Sequence, residues 1–441
     1  VIKAGDYYKK AIEKGNTKAY VSLAEIYTEG ADGIAKDLNK ATEYYQLAAI
    51  NGDDKALYIL AKAAYEEQNY DKALKLLENT ENADGQFLLG EMYRQGLGVE
   101  KNQYLAAEWY EKAAEQRKED AYFYVGYAYQ NGYLGKRYEY INSKIVDYYN
   151  YNKAIEWYEK AAKNGSVAAQ NNLANIYNGD GENNYNKNIT KALNWYQKAA
   201  DQGLDKAQYR LGLLYRNGEG TKRDYQKAMK LFNQSAEQGY VWSMVEIGLL
   251  YEEGNGITKD EKKAVEWYQK AADAGNAIGQ VNLGFMYEKG KGVKQDLDKA
   301  INWYRKAANQ GNERAMENIA NLYSKADSKV YDEEKAIYWF EKLAEKGKSH
   351  YQFEMGLRYE NGNGVEQNYG KAIEWYFKAA DQKHGGALNN LGVLKNKGYP
   401  VNSKAIGGYT FSFLSARDYF RAACEHNDQI GCENYKNYRG F

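Results

Sequence analysis

The sequence predicts an all-α fold, an α/α superhelical solenoid of about eleven helix-turn-helix units forming one domain over residues 1–441. Three observations carry this expectation. A Lys-Ala-x-x-Trp-Tyr-x-Lys-Ala-Ala motif recurs twelve times between Ala4 and Ala416, and six successive copies from Ala192 to Ala372 lie 36 residues apart. A period of roughly 20–50 residues marks a stacked array, because a single unit cannot bury its apolar face without a neighbour. A second motif, Leu-Gly-x-x-Tyr, precedes the copies, as at Leu211, Gly212, Tyr215 and at Leu283, Gly284, Tyr287. Finally, the chain holds a single proline in 441 residues, as suits a polypeptide that is nearly all helix.

Each unit opens with helix A, carried by the Leu-Gly-x-x-Tyr motif, whose apolar positions recur with the helical period. A Gly-x-Gly turn follows, as at Gly218 and Gly220 or Gly290 and Gly292. The first glycine supplies a left-handed residue just past the helix, and the second tightens the turn. The glycines repeat with the period and lack the Lys-Ser/Thr of a phosphate-binding loop, so they are caps. Asp224 and Asp296 stand where helix B begins and suit its N-cap. Helix B carries the Trp-Tyr motif, and seven of the eight tryptophans share one slot (Trp109, Trp157, Trp195, Trp267, Trp303, Trp339 and Trp375). That regularity predicts core packing between layers, with an aromatic such as Trp303 contributing roughly 2–3 kcal/mol by burial.

Sixty basic residues balance sixty acidic ones. A neutral chain argues against a nucleic-acid partner or an anionic membrane surface, either of which favours a basic face. No apolar run approaches the roughly 18 residues of a membrane span. Three histidines, His350, His384 and His426, are too scattered for a metal site. No catalytic constellation and no cofactor fingerprint is present, which predicts a non-enzymatic chain without cofactor or metal. Val1 falls inside a helix motif, which suggests that a natural N-terminus, and any signal peptide with it, has been removed.

The nearly complete pattern from Leu283 to Ala308 resembles the Sel-1-like repeat (SLR) family, relatives of tetratricopeptide repeats with a longer Gly-containing A–B turn. The resemblance covers essentially the whole chain. One copy departs from it: Leu60 to Leu77 lacks the Gly turn and is closer to a tetratricopeptide unit. The resemblance implies an adaptor or scaffold of bacterial type that binds another protein or peptide, monomeric on its own.

In tetratricopeptide arrays the residues flanking the Leu-Gly pair face a concave groove. Carried over, the slot before the pair holds Asn172, Arg210, Asn282, Asn318 and Asn390, and the slot after it holds Leu213, Leu249, Phe285 and Leu357. An Asn side chain can donate to and accept from a peptide backbone, so a row of them would grip an extended chain beside apolar contacts. The alternative is tight curvature that packs these residues against each other.

Two A–B connections are longer than the rest, near residues 131–150 and 396–413. The first is rich in tyrosine and carries Tyr133, Arg137, Tyr138, Tyr140 and Tyr148. Tyr and Arg are favoured interface anchors, so this loop is a second candidate contact, unless its tyrosines pack on their own helices. The second loop is expected to cover the array's end beside a C-terminal cap at 414–441. There the spacing of Cys424 and Cys432, the only cysteines, resembles the Cys-x7-Cys of cysteine-rich SLR proteins of Helicobacter. That resemblance implies a disulfide clipping two helices and a periplasmic or secreted protein. A buried reduced pair and a cytoplasmic location are the alternative.

Three functional classes follow. The first is a partner-binding adaptor acting through the groove and the Tyr-rich loop. The second is an immunity or inhibitor protein for a cognate toxin or envelope enzyme. The third is a peptidoglycan- or glycan-binding module that uses groove aromatics.

Overall fold

The structure, a computed structural model, describes residues 2–30, 34–135, 143–180, 186–401 and 415–438, with the side chains of residues 2, 3 and 143–149 left aside. Among the described residues there are 24 α-helices and no β-strand. The chain divides into two compact units, Val1–Asp224 and Tyr225–Phe441. Within each, A and B helices pair as successive hairpins, and each B helix packs on the next A helix. The periodic reading of the chain as repeated helical hairpins is borne out.

Local chemistry sets the ends of the helices. Asp296 has extended backbone and its carboxylate accepts from the amide of Lys299 at 2.9 Å, which starts the B helix Leu297–Asn309. Asp260, Asp332 and Asn368 do the same for their helices. The A helix Ala277–Lys289 ends at Gly290, whose left-handed φ of 66° lets its amide reach the Met286 carbonyl. Gly292 also has positive φ and packs on the backbone of Glu261 and Lys262 in the preceding layer, where a Cβ would clash. Without it the turn could not approach that layer.

The core is assigned differently from the sequence expectation. The tyrosine of each Trp-Tyr pair is the fully buried residue: Tyr158, Tyr196, Tyr268, Tyr304 and Tyr376 are all 0% exposed. Of the seven tryptophans in the shared slot only Trp339 and Trp375 are buried; the other five are half-exposed. Neighbouring helix positions point about 100° apart, so only one of the pair can face inward. The tryptophan lies at the rim beneath the Lys one turn later, as Lys306 over Trp303 at 3.8 Å and Lys160 over Trp157 at 3.6 Å. The buried ring needs a glycine opposite, since a Cβ at Gly284 would lie 2.7 Å from the Tyr304 ring.

Recurring hydrogen bonds join the layers. Gln280 donates to the Ala272 carbonyl of the preceding B helix and accepts from Gln310 at the end of the following one. Gln170 and Gln352 are tied in the same way, to Ala162 and Gln202 and to Ala344 and Gln382. A different joint is made by Ser243 and Ser235, both fully buried, which bond to each other at 2.7 Å. At the C-terminus Cys424 and Cys432 form a disulfide between the helices Ala416–Glu425 and Gln429–Asn437, as the Helicobacter resemblance implied. No helix among the described residues is long and apolar enough to cross a membrane.

Candidate partner-binding face

The candidate site lies on the A helices, and each unit contributes its own part. Asn172 belongs to the helix Val167–Asn178 and Arg210 to Asp205–Asn217 in the first unit. Asn282, Asn318 and Asn390 occupy the same slot in the second unit, on Ala277–Lys289, Glu313–Ser324 and Gly385–Asn396. All four asparagines are half-buried. They are not simply free groove amides. Asn172 donates to the hydroxyl of Tyr158 and Asn390 to that of Tyr376, each at 3.0 Å. Asn318 faces the Tyr304 hydroxyl and opposes part of the upward shift that burial gives it. These tyrosines in turn donate to the previous A helix: Tyr376 to Glu360 at 2.6 Å, Tyr304 to Glu288 at 2.8 Å and Tyr158 to Gln130 at 2.7 Å. Each such chain pins three helices. Burial pushes the hydroxyls of Tyr158, Tyr304 and Tyr376 far above the ordinary tyrosine range, and for the last two the facing glutamate adds to the shift. Asn172 keeps its amide oxygen and second N–H for other bonds, whereas the amide oxygen of Asn390 already accepts from Asn389 at 3.3 Å, leaving its second N–H.

The apolar slot is intermediate in character. Leu213, Leu249, Phe285 and Leu357 are half-exposed. Leu249, Phe285 and Leu357 rest on the core of the second unit, and Lys291 lies 4.8 Å from the Phe285 ring. Arg210 is exposed and pairs with Asp180 at 3.2 Å. One turn before the Asn slot, Trp242 and Ile278 are exposed at 46% and 37% and extend the apolar stripe along their helices. Neither stood out in the sequence as a surface residue, because Trp242 is simply the tryptophan outside the shared slot.

Of the Tyr-rich connection, Arg137, Tyr138 and Tyr140 lie outside the described residues. Tyr148 falls within the helix Ser143–Lys163, so its backbone is helical and the loop is shorter than 131–150; its side chain lies outside the described residues. Tyr133 is described and joins an aromatic cluster. Its ring meets Tyr104 edge-on at 5.4 Å and lies 6.4 Å from Tyr127. That cluster borders a cleft of about 300 Å³ between the hairpin Ala83–Gln95/Gln103–Glu115 and the A helix Glu119–Gln130. Beneath it, Glu91 accepts from Tyr110 at 2.6 Å and from Arg94 at 3.2 and 2.6 Å. Burial alone would raise the Glu91 carboxyl, but bonds from Arg94, Tyr110 and Gln95 outweigh it and hold it below its ordinary value. No group of three His, Cys, Asp or Glu side chains among the described residues is placed to hold a metal ion.

A chain built of helical hairpins with a buried Tyr, a facing Gly and a Gly-x-Gly turn defines a class of repeat scaffold, and comparison with known proteins places it. The Sel1 repeat matches residues 2–16, 17–53, 83–117, 119–166, 167–204, 205–240, 243–276, 277–312, 314–348 and 349–384. This chain belongs to the Sel1 repeat family, whose members are protein-interaction scaffolds with a generally non-catalytic fold. The departure noted at Leu60–Leu77 falls in the unmatched stretch 54–82. The chain is similar to the solved structure of c5321, a protective antigen present in uropathogenic Escherichia coli strains and displaying an SLR fold. The two share 30% identity with a TM-score of 0.63, over 98% of this chain and 89% of that one. A Sel1 repeat protein from Oxalobacter formigenes matches with 27% identity and a TM-score of 0.50, over 72% of this chain and 89% of that one. Among curated proteins, the chitin synthase regulator SKT5 of Saccharomyces cerevisiae is 32% identical over 120 residues, 25% of this chain and 17% of that protein. The chain thus spans under a fifth of the length of the curated relatives it matches.

Proposed function

We propose that this chain is a non-enzymatic adaptor, monomeric on its own, that holds a peptide or protein partner on its A-helix face. The observation that carries this is the composition of that face in the second unit. Half-exposed Leu249, Phe285 and Leu357 alternate with half-buried Asn282, Asn318 and Asn390. Apolar side chains there contact those of the partner, while the amide capacity left on the asparagines meets its backbone. Arg210, Leu213 and Asn172 offer the equivalent surface in the first unit, and the segment with Tyr133, Arg137, Tyr138, Tyr140 and Tyr148 a separable second contact. The name of the yeast relative, a regulator of another enzyme, agrees with a protein that acts through partners. The Cys424–Cys432 disulfide supports a periplasmic or secreted location, since such bonds persist in oxidising compartments.

The test is quantitative capture of the partner from the source cell by wild type, by the Asn282→Ala/Leu249→Ala variant and by a control, Asn302→Ala, on an exposed B-helix position. Loss of one or two amide bonds and an apolar contact lowers affinity roughly ten- to a hundredfold, while the control binds as wild type. Wild-type capture by the A-helix variant refutes this reading.

A further inference from the structure

We infer that the cleft at Tyr127 in the first unit is a recognition pocket for a peptide carrying an aromatic side chain next to an acidic one. This deepens the adaptor reading and rests on it.

The positions involved are the same two slots that carry Asn282 and Phe285 elsewhere. In the helix Glu119–Gln130 they hold Tyr124 and Tyr127, flanking Val125 and Gly126. Tyr124 is fixed: its ring stacks on Tyr110 at 4.5 Å and 16°, and the Arg94 guanidinium lies 5.6 Å from its centroid. Phe123 stands 6.3 Å from Tyr127. Tyr127 is 42% exposed, a large area of ring left in water between the rings of Phe123 and Tyr133. The cleft they border holds about 300 Å³, the scale of one or two large side chains rather than a drug-sized molecule. Pre-packed aromatic walls lose little conformational entropy on binding, which is why such rings dominate interface energetics.

Charge selects the neighbour. Arg94 and Lys101 both line the cleft, and no carboxylate does among the described residues. Arg94 is neutralised by Glu91, whereas Lys101 is exposed and has no ion pair among the described residues. The cleft therefore presents one uncompensated positive charge beside an apolar wall. An aromatic ring seated on Phe123, Tyr127 and Tyr133 places the adjoining residue of an extended peptide at the rim, where a carboxylate meets Lys101. A neutral sugar gains nothing from that charge and finds no carboxylate among the described lining residues to accept its hydroxyls.

The test uses fluorescein-labelled synthetic peptides and the full chain, read by anisotropy. One peptide carries Trp-Glu-Asp within a Gly-Ser frame; the two controls replace Trp by Ala, or the acids by Lys. The Trp-Glu-Asp peptide binds at least tenfold more tightly than either control. Tyr127→Ala weakens it at least tenfold, Lys101→Glu reverses the preference towards the basic peptide, and Asn302→Ala leaves it unchanged. Circular dichroism checks that the variants fold, and Lys101→Glu, at an exposed loop position, keeps the test decisive if Tyr127→Ala does not. Equal binding of acidic and basic peptides, or unaltered binding in the Tyr127→Ala protein, overturns the inference. So does binding of a soluble chitooligosaccharide in place of the peptide, or binding that emerges only when residues 136–142 are replaced by Gly and Ser. Peptide binding lost in Asn282→Ala but retained in Tyr127→Ala leaves the A-helix face standing and removes this pocket alone. Absence of all binding removes the pocket too, while partner capture still judges the face by itself.

Discussion

The side-chain amide of Asn390 donates to the hydroxyl of Tyr376 at 3.0 Å, across 14 positions of sequence and from one hairpin to the next. Tyr376 passes the bond on to Glu360 at 2.6 Å. A residue on the candidate recognition face is therefore also a fastening between layers, and binding and stability are coupled there.

Removing the two ends of that chain should have unequal effects. Asn390→Ala loses its bond to Tyr376 and the longer one from Asn389 at a half-buried site and should destabilise by about 1 kcal/mol. Tyr376→Phe leaves the Glu360 carboxylate without its donor and should cost about 1–3 kcal/mol. Denaturant unfolding of both variants checks this, and a larger loss for Asn390→Ala would show that the hydroxyl bond to Glu360 contributes little.

Adjacent aromatics should also differ. Tyr304 is fully buried against Gly284, so Tyr304→Ala should cost roughly 3–5 kcal/mol. Trp303 is half-exposed under Lys306, and Trp303→Ala should cost only about 1–2 kcal/mol, part of it the roughly 0.5–1 kcal/mol of the cation–π contact. Thermal melts that rank the two in the opposite order would contradict the assigned core.

The helix Gly385–Asn396 is capped by His384, whose Nδ1 accepts from the Ala387 amide at 3.3 Å while its ring stacks on Phe353 at 4.6 Å. Burial, with His350 nearby, lowers its pKa below the ordinary histidine value, against the pull of Asp428 and Glu354. The unfolded chain then takes up the proton more readily than the folded one. The contribution of the neutral cap is thus complete above about pH 6.5 and is lost as pH falls through the lower folded pKa. His384→Asn, the residue that caps at Asn312, should remove this acid sensitivity. Melting temperatures of both proteins at pH 7.5 and pH 5 check it, and parallel behaviour would mean that the cap does not titrate.

Reducing the Cys424–Cys432 disulfide, or Cys432→Ser, should destabilise the terminal hairpin by roughly 2–3 kcal/mol. Because layers contact mainly their neighbours, the loss should stay local. Hydrogen exchange should quicken in residues 416–437 and hold steady in residues 277–345. A uniform increase across the second unit would reveal longer-range cooperativity.

Much of this was legible in the sequence. The period, the Asp296 cap, the Gly290 turn and the hairpin architecture follow from local rules that a linear pattern displays. The division of labour within Trp-Tyr was not, because both residues fit the apolar face and only the rotation of the helix decides between them. The Asn slot was visible, but not its hydroxyl partner, which lies on another helix at a register fixed by packing. Gln280 and Gln310 recur with the period as well, yet a polar side chain gives no sign in sequence that it is buried and paired. The Tyr127 cleft escaped notice because Tyr124 and Tyr127 stand where other copies hold Asn and Leu.

The joint between Ser235 and Ser243 has a consequence for folding order. Layers this alike invite mispairing, in which one hairpin docks in a neighbour's place. In the adjoining layer the same two positions are Ala271 and Gly279, and a Cβ added at Gly279 would lie 2.6 Å from that of Ala271. A hairpin bearing Ser243 that seats against Ala271 finds no hydroxyl partner there, a penalty of about 1–3 kcal/mol for the unmade bond. The serine pair works as a key and lock that holds one nearly interchangeable layer to its own position in the queue.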